Sequence, residues 1–118
     1  MRLDQLRDYC LAKPTAAEDQ PFGPDTLVFK VGGKMFALVG LNQVPPSVAL
    51  KCEPERVVEL RARYAAVTPT PYMDKRLWNA VSLDGEVPDA EVRSMIDHSY
   101  DLVVAKLTRR VREELGIG

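Results

Sequence analysis

The sequence is poor in the side chains that most often carry chemistry: one histidine (His98), one tryptophan (Trp78) and two cysteines, Cys10 and Cys52. Two cysteines in different predicted elements, without CxxC spacing, and a lone histidine cannot assemble a zinc site of the usual Cys/His kind. No metal and no other cofactor is expected. The cysteines read instead as small buried hydrophobes in a reducing compartment. No apolar run approaches the roughly 20 residues needed to cross a bilayer. The opening Met1-Arg2-Leu3-Asp4-Gln5-Leu6-Arg7-Asp8 is too charged for the apolar stretch of a signal peptide. Both features lead us to expect a cytoplasmic protein with no membrane partner. Also missing are a GxSxG elbow and a glycine-rich loop leading from a strand into a helix. His98, among Ile96, Asp97, Ser99 and Tyr100, reads as a helix-surface or capping residue rather than a general base. No catalytic residue is expected, and the chain is not read as an enzyme.

What is present fits one domain. A chain of 118 residues with 46% hydrophobic content has enough apolar material for one core without staples. The formal net charge of −1 lacks the basic excess of a typical nucleic-acid-binding domain, but charge is sorted by segment. Between Thr26 and Cys52 lie Lys30, Lys34 and Lys51 and no acid, whereas Asp84 to Asp101 holds six acids against Arg93. Lys106, Arg109, Arg110 and Arg112 make the tail basic again.

Leu3, Leu6 and Cys10 mark one stripe of a first helix, which Pro14 stops. Thr15 to Pro24 is polar and proline-bounded, and reads as a loop. Thr26–Val31 and Lys34–Val39 then flank Gly32-Gly33, the signature of a two-residue hairpin turn that needs positive φ. Alternation puts Leu27, Phe29 and Val31 on one face and Val28 and Lys30 on the other; in the second arm Phe36 and Leu38 form the matching core-facing row. Ser47–Cys52 is a third strand, placed after Pro45-Pro46 because proline cannot donate to a ladder. Glu53-Pro54-Glu55 opens a second helix with Val57, Leu60 and Tyr64 as its stripe. Thr68-Pro69-Thr70-Pro71 is a rigid connector, with room for a short strand near it. Trp78–Leu83 is a strand with Trp78, Ala80 and Ser82 on one face and Val81 and Leu83 on the other. Pro88 opens the longest helix, tracked by Val92, Ile96, Ser99, Val103 and Leu107 and widened by Met95 and Leu102. Beyond Leu107 the helix continues or the tail frays before Gly116 and Gly118. The order predicts an α+β two-layer sandwich, α-β-β-β-α-β-β-α, whose antiparallel sheet is covered on one face by N-terminal, middle and C-terminal helices.

Several blocks, in order, resemble the MmcQ/YjbR family across nearly the whole chain. They are Pro21-Phe22-Gly23-Pro24 before Thr26 to Ala37, then Leu50-Lys51-Cys52, Met73-Asp74-Lys75-Arg76-Leu77-Trp78-Asn79, and Ile96 to Val103. The resemblance implies a fold similar to frataxin and to secretion chaperones, and a DNA-binding role through a double-wing arrangement. Asp74 and Leu77 stand where the family block often has Asn and His, which adds a negative charge and removes a donor beside that surface.

Candidate DNA contacts follow. Lys75 and Arg76 beside Trp78, with Tyr72 near, could pair phosphate charge with aromatic stacking; alternatively Trp78 anchors the core and the cations are merely solvated. Lys30 and Lys34 flank the hairpin turn as a wing would, or guard an edge against aggregation. Lys106, Arg109, Arg110 and Arg112 could add phosphate contacts, or complement the dipole at a helix C-terminus. The acids from Asp84 to Asp101 read as a solvated helix face. The alternative to DNA is a protein partner docked on the sheet face that the helices leave open. A continuous positive stripe would favour DNA, and an apolar groove without basic neighbours would favour a protein. A monomer is the default.

Overall fold

The computed structural model describes residues 1–117. Its elements run α1 (Leu3–Leu11), β1 (Ala17–Asp19), β2 (Thr26–Val31), β3 (Lys34–Gly40), β4 (Ser47–Lys51), α2 (Pro54–Arg63), β5 (Val67–Pro69), β6 (Trp78–Ser82), α3 (Asp89–Lys106) and α4 (Arg109–Leu115). The strands pair antiparallel in the order β1-β2-β3-β4-β6-β5. Leu6 and Cys10 of α1, Val57 and Leu60 of α2 and the buried stripe of α3 join Phe29, Val39, Val48 and Val81 in one apolar cluster. The α+β architecture, with the helices on one sheet face, is as expected. The two cysteines lie free within the helix-facing core, and burial pushes the Cys10 thiol up to about 12.

Three details depart from the sequence reading. The segment read as a loop contains β1, which pairs Ala17 with Lys30 and Asp19 with Val28. It has no apolar face; ion pairs Arg7–Glu18 and Lys30–Asp19 hold it at the sheet edge. In β3 the strict alternation fails. The register shifts between Phe29 and Lys30, so Phe29 faces Ala37 while Lys30 faces Met35. Phe36 is the extra residue of a bulge, and Phe36 and Ala37 are both buried. Leu38, read as core-facing with Phe36, therefore turns to the helix-free face. Finally, α3 ends at Lys106 and a separate helix begins at Arg109. Thr108 caps it, its hydroxyl accepting the Val111 N–H at 3.2 Å, and Gly116 closes it at φ 69°; Gly118 lies outside the described residues.

The Gly32-Gly33 turn is where it was expected, at φ 59° and 78°. Gly32 does more than turn the chain: a Cβ there would lie 2.8 Å from Leu107 Cδ1. The hairpin tip thus rests on the α3–α4 junction.

The acids of the 84–101 segment are not simply solvated. Asp97 accepts the Tyr9 hydroxyl at 2.6 Å and pairs with Lys13, whose ammonium also lies over the Tyr9 and Tyr100 rings. Glu86 accepts the Ala65 N–H at 2.8 Å. These groups tie α1 to α3 and fasten the β6–α3 loop.

Candidate ligand-binding groove

The register sorts the helix-free face into three rows. Thr26, Gly40, Ser47 and Ser82 form one. Val28, Leu38, Ala49, Ala80 and Thr68 form the middle one. Lys30, Met35, Lys51 and Trp78 form the third, at the hairpin-tip end. Small residues on this face of β3, β4 and β6 leave a hollow, because Gly40, Ser47, Ala49 and Ala80 cannot fill the space above the sheet. The connector residues Thr70–Met73 and Phe22 wall it, enclosing about 500 Å³, within the range of ordinary ligand sites. None of its lining residues is charged.

Two observations mark this groove as more than a dent. Phe22 and Tyr72 stand on its wall 66% and 96% exposed. Thr70, also in the wall, is 5% exposed, and its hydroxyl is buried without a hydrogen-bond partner among the described residues. A buried unpaired hydroxyl costs about 1–3 kcal/mol, and native folds pair nearly all such groups with protein or water.

Arg61 of α2 fixes the connector that forms the wall. Its guanidinium donates to Asn79 Oδ1 at 2.7 Å, to the Trp78 carbonyl at 3.0 Å and to the Lys75 carbonyl. Asn79, 2% exposed, in turn donates to the Val57 carbonyl at 3.4 Å. A charged side chain from the helix layer thus reaches through to shape the opposite face.

The expected DNA contacts are brought together only in part. The hairpin turn, the end of β4 and the start of β6 share one end of the sheet, so Lys34, Lys51, Lys75 and Arg76 lie there, with Lys106 joined to them through the Leu107–Gly32 contact. Yet acids neutralise several of these cations. Lys30 pairs with Asp19 at 3.1 Å and Arg76 with Asp74 at 3.3 Å, while Arg109 and Arg110 pair with Glu113 and Glu114 one turn on. Asp74, the departure from the family block, is thus the residue that neutralises Arg76. Arg109 and Arg110 occupy the start of α4, not a helix C-terminus, so dipole complementarity accounts for Lys106 and Arg112 but not for them. Trp78 is half-buried on the helix-free face, not a core anchor. Lys51 and the groove residues other than Tyr72 were not candidates in the sequence, because only the pairing of distant strands assembles them.

His98 sits on the other side of the sheet. Its Nε2 accepts the N–H of Glu53, the cap of α2, at 3.3 Å, which requires a neutral ring at that nitrogen. Burial first, then Arg56, holds its pKa below the ordinary 6.5, against smaller opposing pulls from Glu53 and Asp101. The proton is then bound more readily by the unfolded chain. This contribution is complete above the unfolded value and is lost as pH falls below it through the depressed folded value. Thermal unfolding followed through that window should show a declining midpoint, and His98→Gln should flatten the decline. An identical slope in the variant would remove His98 from the account.

Fold and groove together define a two-layer α+β domain with one sheet face covered by helices and the other hollowed and open. The YjbR family model matches residues 11–102, and the chain belongs to that family. It is 33% identical over 115 residues to YjbR of Escherichia coli K12, covering 98% of both chains. It is 34% identical over 98 residues to YbdF of Escherichia coli O157:H7, covering 83% of this chain and 80% of that one. The crystal structure of Deinococcus radiodurans DR2400, a DUF419 domain, superposes with a TM-score of 0.93 at 38% identity, covering 99% of this chain and 89% of that one.

Proposed function

We propose that this protein is a non-enzymatic binding module that docks an apolar segment of a partner protein on the helix-free face of its sheet. The observation that carries the reading is the uncharged groove itself, hollowed by small residues and walled by exposed aromatic rings. Exposed rings beside an apolar trough are the composition of a protein-binding surface rather than of a phosphate-binding one.

Ala80→Phe tests this, because a large ring on the floor fills the trough without touching the core face. A peptide array of apolar, acidic and basic segments, probed with both proteins, should show apolar peptides retained by the wild type and released by Ala80→Phe. Trp78, the only tryptophan, should report the same binding as a change in its emission. A wild type that retains no peptide, or a filled variant that retains the same set, would overturn the reading.

DNA is the second reading, favoured by the grouping of Lys34, Lys51, Lys75, Arg76 and Lys106 at one end of the molecule. It predicts duplex binding that survives Ala80→Phe and falls steeply with salt, at a log–log slope of about −0.9 per phosphate neutralised. Fluorescence anisotropy at two salt concentrations separates the two readings.

A further inference from the structure

The lining of the groove is uncharged, but a cation stands just beyond it, at the hairpin-tip end. There Lys51 and Trp78 face each other across β4 and β6, on the face that carries Ala49 and Ala80 one step along the same strands. Thr70 joins them. It follows the Pro69–Asn79 pair by one residue, which places it beside Trp78 on that face. No ion pair engages Lys51 among the described residues, and Thr70 keeps its buried hydroxyl unpartnered. Lys51, Trp78 and Thr70 are therefore neighbours on the same sheet face, bordering one end of the apolar trough, and an ammonium, an indole N–H and a hydroxyl can all donate. A wholly apolar ligand would leave the Thr70 hydroxyl without an acceptor and gain nothing from the neighbouring ammonium; a ligand with an anionic end would use both.

We infer that the groove selects apolar segments that carry an anionic group, such as a carboxylate, at one end, with Lys51, Trp78 and Thr70 as its donors. This rests on the groove being the binding site, and deepens that reading by giving the ligand a polarity and a direction. Lys51 supplies the charge, while Trp78 and Thr70 fix where the anion sits. The opposite end, bordered by Gly40, Ser47 and Gln43, carries no charge and takes the apolar tail.

Two dyes that differ by one sulfonate make the test: 1-anilinonaphthalene-8-sulfonate, which is anionic, and N-phenyl-1-naphthylamine, which is neutral. Fluorescence titration of the full chain should give binding of both, with the anionic dye held about tenfold more tightly. Lys51→Met should remove that preference while leaving the neutral dye within about twofold of wild type, since one charge-assisted contact is all it deletes. Thr70→Val should narrow the preference in the same direction. Arg93→Gln, which removes a cation exposed on α3, should leave it intact and so excludes a general effect of net charge. Ala80→Phe should abolish both dyes. If both dyes bind in the groove and Lys51→Met leaves their ratio unchanged, or weakens both equally, the anionic end is wrong and the groove stands. If neither dye binds, or Ala80→Phe displaces neither, the groove itself is wrong. Thermal melts of each variant establish that the fold is retained before the titrations are compared.

Discussion

Replacing Phe36 with alanine should cost about 3–5 kcal/mol of folding stability, among the largest effects expected of a single substitution here. Phe36 is fully buried, and its ring meets Tyr100 edge-on at 5.3 Å between centroids and 89° between planes. Such a pair contributes about 0.5–1.5 kcal/mol beyond the area it buries. Domains of this size are stable by only about 5–15 kcal/mol, so the melting midpoint should fall by on the order of 10–20 °C. Leu38→Ala provides the contrast. Strict alternation would make the two positions equivalent, but the bulge sends Leu38 to the half-open face, where its loss should cost about 1–2 kcal/mol. Urea unfolding of both variants checks the pair. Equal losses would mean that β3 carries no bulge and that the groove floor is misdrawn.

Arg61→Met should follow, at about 2–4 kcal/mol. The substitution keeps much of the aliphatic length but removes every donor. It strands Asn79 Oδ1, in a residue 2% exposed, together with the carbonyls of Lys75 and Trp78 that the guanidinium now holds. The consequence should reach beyond stability. The connector would lose its attachment to α2, so amide exchange should quicken at Leu77 and Trp78, which bond to the Asp74 carbonyl, and at Cys52, which bonds to Leu77. Groove affinity should drop as the wall loosens. Arg61→Lys, which keeps the charge but not the planar fork, should recover part of the stability and little of the affinity. A variant that loses stability with exchange at those amides unchanged would show that Arg61 supports only the core.

The parts of the fold visible in the sequence are those with a local cause. Gly32-Gly33 announces its turn because positive φ is cheap only for glycine. The faces of β2 and β6 follow from simple alternation, and α3 from its buried stripe. What stayed hidden has causes that are distant in the chain. Ala17-Glu18-Asp19 has no strand propensity and pairs only because β2 offers an edge and two cations hold its acids. The bulge at Phe36 depends on how β2 and β3 align, which no window on β3 contains. Helix α4 was partly readable: Thr108 before Arg109, with Arg109–Glu113 and Arg110–Glu114 four apart, is a cap followed by two helical ion pairs. The groove was the least legible feature. Gly40, Ser47, Ala49 and Ala80 are individually ordinary small residues, and only the strand order β3-β4-β6 places them side by side.

The two borders of the sheet complete the account. On one side, β1 presents Glu18 and Asp19; on the other, β5 is three residues long and ends in Pro69, which has no N–H to offer. Charge and proline at the rims are the usual ways a sheet refuses another strand. A visitor to this molecule is thereby denied the hydrogen-bond ladder that makes strand addition tolerant of almost any sequence. A partner docked as proposed would lie over the strands rather than alongside them and be judged by the shape of its side chains. If the groove binds as proposed, selectivity would begin at borders that touch no ligand, by closing the one route of entry that would not discriminate.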